Sequence, residues 1–226
     1  MIVLDIETYR ADLNAGYEQW KIVDKVDKRL KDPEKIAESK ERAKDKFGLS
    51  PLTGTIILVG MLSTVQYTSD WVACVYEDEA LYTRIIGLDG KTETELINET
   101  LLAVSEELDN GGRLITYNGK LFDLPFIMGR AILNNIAPPS YMPYDIMINK
   151  YRSDKHIDIY NVLNEGSLVE WSYRLGMSNS LERDNAKIAQ WYHDKEYQLI
   201  IDKNIIDLYQ TYGIYKRIKG WVQWKA

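Results

Sequence analysis

Four carboxylates in this sequence have the type and spacing to do chemistry together: Asp5 and Glu7 near the start, Asp123 among apolar residues, and Asp207 in a long helical pattern. The run Ile2 to Ile6 is short and apolar and reads as a buried strand. Side chains on a strand alternate faces, so Asp5 and Glu7 at its end point to one side and Leu4 and Ile6 to the other. Asp123 follows Thr116-Tyr117-Asn118-Gly119-Lys120-Leu121-Phe122, in which an Asn-Gly turn separates a strand from a helix. An unpaired carboxylate among such apolar neighbours is costly, so Asp123 needs a partner there, either a function or a place in the first turn of the helix. Carboxylate oxygens suit hard cations such as Mg²⁺ or Mn²⁺ better than zinc, and a cation offsets the repulsion among clustered acids.

Other chemistries are set aside by what the chain lacks. Cys74 is the only cysteine, and His156 and His193 are the only histidines, which excludes a multi-Cys or His-rich metal centre. There is no phosphate-cradling glycine loop, no Gly-x-Ser-x-Gly elbow and no dinucleotide fingerprint.

The acids must be positioned by the elements around them. After the first strand, positions 15–48 interleave lysines and acids with Trp20, Val23, Val26, Leu30 and Ile36, and predict a helical insertion of two helices joined at Asp32-Pro33. Ten basic residues face seven acids between Lys21 and Lys46, a local excess of three positive charges that suits either a solvated packing element or a lid over a substrate. Strand-like runs follow at Thr55–Ser63, Trp71–Tyr76 and Leu81–Ile86 and suggest an antiparallel meander. A helix is expected over Glu93–Leu108, ending at Asn110-Gly111-Gly112, then a strand at Arg113–Tyr117, a helix at Phe122–Asn134 and a last short strand at His156–Asp158. The chain ends in an amphipathic helix marked by Ile201, Ile205, Leu208, Tyr212 and Tyr215. Strands followed by alternation with helices indicate a mixed α/β sheet in a single domain spanning 1–226.

A net charge of −6 argues against a general nucleic-acid coat and leaves room for a local nucleic-acid site. No apolar run approaches the ~20 residues of a membrane span, and Asp5 and Glu7 interrupt any apolar core of a leader peptide. With one cysteine, the chain reads as intracellular and cytoplasmic.

Three segments, Leu4-Asp5-Ile6-Glu7-Thr8, Tyr117-Asn118-Gly119-x-x-Phe122-Asp123-Leu124-Pro125 and the helix around Asp207, together resemble the DnaQ-like (DEDD) 3′–5′ exonucleases of the ribonuclease H-like superfamily. His156-Ile157-Asp158-Ile159 and Leu175-Gly176-Met177 resemble the branch related to the exonuclease domain of family B DNA polymerases. The resemblance implies a five-stranded mixed sheet flanked by helices, with Asp5, Glu7, Asp123 and Asp207 binding two divalent ions, Mg²⁺ or Mn²⁺. It implies hydrolysis of phosphodiester bonds at the 3′ end of single-stranded DNA, with Thr8, Asn118 and Phe122 at positions that receive the terminal nucleotide. Two metals supply an activated water, charge neutralisation and leaving-group stabilisation, as this hydrolysis requires.

The final motif departs from the family. Members carry a Tyr four residues, or a His five residues, before the last Asp; here those positions hold Lys203 and Asp202. Lys203 lies one helical turn from Asp207 on the same face. It suits positioning of water or contact with phosphate, and an i, i+4 ion pair with Asp207 in a degenerate site is the other reading. A carboxylate cluster works against a neutral Lys acting as a base. The alternatives at the level of function are a catalytically impaired nucleic-acid-binding accessory subunit and the same chemistry on RNA; any replication or repair partner is unidentified. His156 and Asp158 are expected in the core or behind the site, and Lys216, Arg217, Lys219 and Lys225 either meet phosphate or are solvated.

Overall fold

Strand β1 (Ile2–Arg10) is the axis of the molecule: β2 (Gly54–Ser63) pairs antiparallel along its whole length and β5 (Leu114–Thr116) runs parallel beside its first residues. The chain is seen in a computed structural model that describes residues 1–10, 31–37, 39, 46–88, 90–180 and 184–222. With β3 (Val72–Tyr76), β4 (Glu79–Gly87) and β6 (His156–Asp158), the strands form one sheet in the order β3-β4-β2-β1-β5-β6. The mixed α/β architecture is as expected, and the six strands match the six strand-like runs of the sequence, one more than the resemblance implied.

The strand order corrects one detail. The strands after β1 are antiparallel, but β4 rather than β3 pairs with β2, so they do not run as a simple meander. β3 has five residues and is largely exposed, so it fits the edge, whereas β4 is longer and partly buried. Glu77 and Asp78, both with positive φ, close the hairpin that folds β3 outside β4.

β1 also runs four residues further than predicted, past Ile6 to Arg10. Glu7 therefore lies inside the strand, followed by a register shift at Glu7/Thr8, where β2 carries the extra residue Ile57. Ile2, Leu4 and Ile6 face the core formed with α1 (Glu93–Asp109) and α2 (Asp123–Leu133). Val3 faces the opposite core, where Leu208, Tyr212 and Ile214 of the last helix pack. Along the chain after α2 come the short helices α3 (Tyr144–Met147), α4 (Ile159–Leu163), α5 (Leu168–Arg174) and α6 (Ile188–His193), and then the last helix, α7 (Tyr197–Ile218). Capping boxes at Thr92/Glu95 and Ser167/Glu170 start α1 and α5.

Most of the expected insertion at 15–48 lies outside the described residues; of the part described, residues 33–37 and 39 are helical, with Pro33 in the first turn. Lys216, one of the residues read as a phosphate contact, instead pairs with Glu77 and Glu79 and ties the β3–β4 hairpin to α7. Among the described residues no helix is long and apolar enough to cross a membrane.

Candidate active site

The odd-numbered residues of β1 face α7, which brings Asp5 and Glu7 to the floor of a cleft of 760 Å³. Helix α7 comes unusually close here because Gly60, opposite Asp5 on β2, has no side chain: a Cβ there would lie 1.7 Å from Asn204 Oδ1. That approach lets the Asn204 amide donate to Asp5 Oδ2 at 2.8 Å. One turn of helix aligns Lys203 with Asp207, and the Lys203 ammonium lies 2.7 Å from Glu7 Oε1 and 2.8 Å from Asp207 Oδ2. Asp5, Glu7 and Asp207 each present an oxygen within 4.8 Å of the others, the one such acidic group among the described residues.

Asp123 stands beside this trio and lines the same cleft, but its carboxylate is not part of the close group. It occupies the first turn of α2, and its Oδ1 accepts from the Ile6 backbone N–H at 3.2 Å. The even-numbered N–H groups of β1 face β5, which ends at Thr116; the carboxylate takes over where that strand stops. The partner that the sequence demanded for Asp123 is thus the backbone of β1.

Burial dominates the electrostatics. It pushes the Asp5 carboxyl well above the usual carboxylate range, with Lys203 opposing and Glu7, Asp207 and Asp123 adding to the rise. Glu7 moves the same way for the same first reason. Burial raises Asp123 to about 7, with the Ile6 N–H opposing and Asp158 and Glu7 adding. For Lys203, burial works against the charged form, but Glu7, Asp5 and Asp207 outweigh it and hold the ammonium above its ordinary pKa. A neutral lysine base is therefore disfavoured, and the predicted ion pair with Asp207 is present, extended to Glu7.

The second wall of the cleft is built from the turn after β5. Asn118 adopts a left-handed φ of 68°, and its N–H donates to Asp158 Oδ1 at 2.7 Å. Asp158 also accepts from the N–H groups of Tyr160 and Lys120, so one buried carboxylate holds three backbone donors. At Gly119 a Cβ would collide with Thr116, whose hydroxyl accepts from the Gly119 N–H at 3.1 Å. His156 Nδ1 lies 2.8 Å from the Met147 carbonyl, which only accepts, so the proton sits on Nδ1. Nε2 then accepts from the Thr116 hydroxyl at 2.8 Å. Burial lowers the His156 pKa to about 3, in keeping with a neutral ring.

Thr8, Asn118 and Phe122 all line the cleft. Phe122 is also packed against the core, with Phe126 at 5.6 Å between ring centroids. Leu121, 68% exposed, and Ile206, 53% exposed, add apolar surface to the lining. Sequence reasoning missed Asn204, although its position three before Asp207 places it on the same helix face. It also missed Lys120, which is buried with its ammonium on the Asn149 and Arg152 carbonyls, and no local signal marks that.

Residues 65–222 match a family model described as a predicted 3′–5′ exonuclease related to the exonuclease domain of PolB. The chain belongs to this family. The match includes Asp123, Lys203 and Asp207 and begins after β2, so Asp5 and Glu7 lie outside it. Among solved structures, the family B DNA polymerase of the hyperthermophilic archaeon Pyrobaculum calidifontis is similar, with a TM-score of 0.56 and 16% identity. The similarity covers 96% of this chain and 24% of the polymerase, so the PolB-exonuclease-like chain spans about a quarter of that protein. At this identity the likeness is one of fold. No curated protein matches the sequence.

Proposed function

We propose that this member of the PolB-related exonuclease family is a divalent-metal-dependent nuclease that removes nucleotides from the 3′ end of single-stranded DNA, with residues 1–226 acting as one domain that carries the 15–48 insertion. The observation that carries this reading is the meeting of Asp5 and Glu7 from β1 with Asp207 from α7 at the floor of one cleft. An all-oxygen donor set in one cleft, with burial raising the pKa of Asp5, Glu7 and Asp123, fits Mg²⁺ or Mn²⁺, and Asp5, Glu7, Asp123 and Asp207 would hold two ions. When bound, such ions neutralise phosphoryl oxygens, activate water and stabilise the leaving oxygen.

The chain's own residues orient the strand. Phe122 and the apolar surface of Leu121 and Ile206 offer faces on which a base stacks without regard to sequence, while Thr8 and Asn118 supply polar groups at the same wall. Lys203 provides a positive charge that can turn from the acids to a phosphate oxygen. The single cysteine supports action in a reducing compartment.

The ion pairs of Lys203 with Glu7 and Asp207 favour a second reading, a site that binds a strand without cutting it. Incubation of 5′-labelled single-stranded DNA and RNA with the protein in Mg²⁺, Mn²⁺ or EDTA, with Asp5→Ala as control, separates the two. A ladder that shortens from the 3′ end, absent in EDTA and in the variant, is the expected result. Strand and metal binding with no cleavage would establish the second reading, and preferential cleavage of RNA would change the substrate class.

A further inference from the structure

We propose that in the free protein the Lys203 ammonium occupies one of the two cation positions of the carboxylate cluster, so that the chain takes up a single divalent ion until that ammonium turns to an incoming phosphate. This rests on the metal-dependent nuclease reading above and adds to it a residue that controls how many ions are held.

The ammonium is centred on the acids rather than on their rim. It lies 2.7 Å from Glu7 Oε1 and 2.8 Å from Asp207 Oδ2, and the Lys203 side chain is only 12% exposed. These are two of the three acids whose oxygens converge within 4.8 Å. The third, Asp5, has no ion pair of that kind among the described residues: its Oδ2 accepts from the neutral Asn204 amide. The cluster therefore has a side, at Glu7 and Asp207, that the ammonium touches directly and a side, at Asp5, that feels its charge at longer range and is touched by the Asn204 amide. A first divalent ion is directed to the Asp5 side, with Asp123 next to it in the cleft.

A second divalent ion at Glu7 and Asp207 would stand against the ammonium at contact distance inside a poorly solvated site, which like charges resist. Lysine carries a compact charge on a flexible four-carbon stem, so the ammonium can leave without any movement of α7. The new position it needs is an anion in the cleft, and the strand's phosphate provides one. A Tyr at this position would bring no such cation.

The test is a count of bound ions on the full chain without nucleic acid, by equilibrium dialysis with Mn²⁺ and electron paramagnetic resonance of the complex. One Mn²⁺ per chain with the spectrum of an isolated ion is expected for the wild type. Two per chain with the spectrum of a spin-coupled pair are expected for Lys203→Met. Two coupled ions on the wild type overturn the proposal whatever the variant does, and so does a single ion on folded Lys203→Met. Lys203→Gln replaces that variant if it fails to fold. Absence of Mn²⁺ binding in wild type and variant overturns the metal-dependent reading as well, whereas two ions on a wild type that cleaves DNA overturn only the part assigned to Lys203.

Discussion

On the α7 side of the cleft, charged groups meet one another directly: Lys203 bridges Glu7 and Asp207, and Asp5 leans on an amide. On the β5–α2 side, charged and polar groups meet the backbone: Asp158 holds three N–H groups, Lys120 holds two carbonyls, and His156 and Thr116 complete a closed chain of donors and acceptors. The first wall keeps an excess of buried negative charge that a cation relieves, and the second is satisfied without any ligand. The proposed function, binding metal while keeping a strand in register, calls for both, since an unsatisfied wall attracts ions and a satisfied one holds its shape. Asp123 belongs to each, bonded to backbone like the second wall and raised in pKa by burial like the first.

Asp123→Asn tests that dual membership and carries the largest expected effect. The amide oxygen can keep the Ile6 N–H bond, while the charge is lost. Because the folded pKa is raised to about 7, the acid stabilises the fold at low pH and loses that contribution as the pH rises through 7. In EDTA at pH 8 the variant should be more stable than wild type by on the order of 2 kcal/mol, with the difference closing below pH 5. Cleavage should fall on the order of 10³-fold, since several kcal/mol of charge stabilisation is removed. Denaturant unfolding at the two pH values checks the first; a variant less stable at pH 8 would place Asp123 wholly in the second wall.

Asp158→Asn sharpens the contrast from the other side. One carboxylate oxygen becomes an amide donor facing either the Lys120 N–H or those of Asn118 and Tyr160, so the turn that carries Asn118 loosens. A roughly 10–100-fold loss in kcat/KM is expected, borne by KM, at an unchanged Mn²⁺ count. A lost ion would show that the walls are not separate.

The smallest effect is on stability alone. A His156 pKa lowered to about 3 contributes stability that is full above the unfolded value of 6.5 and is lost as pH falls toward 3. His156→Gln should flatten the acid limb of the stability curve by about 2 kcal/mol at pH 4, read by thermal unfolding across pH, and leave the pH dependence of metal binding unmoved.

Much of this was legible from residue order. Period-two alternation placed Asp5 and Glu7 on one face, and the Asn118-Gly119 turn announced itself because few residues adopt a left-handed φ. The strand-like runs were all found, but not which of β3 and β4 would pair with β2. That choice depends on how much surface each strand buries against its neighbours, which is not a local property. The bulge at Ile57 and the extension of β1 have the same origin, since each arises from pairing with a distant partner.

By itself, then, the sequence limited the chemistry open to the chain, through acids without a cysteine or histidine cluster, and set the face on which each acid would sit within its own element. Only the tertiary structure decided which acids meet. Asp5 and Glu7 are about two hundred residues from Lys203 and Asp207, and they come together because Gly60 lets α7 settle against the sheet. Asp123 was drawn instead to a β1 backbone group left open where β5 ends. Contacts of that length are set by packing and by the need to satisfy every buried donor, and local pattern carries no record of either.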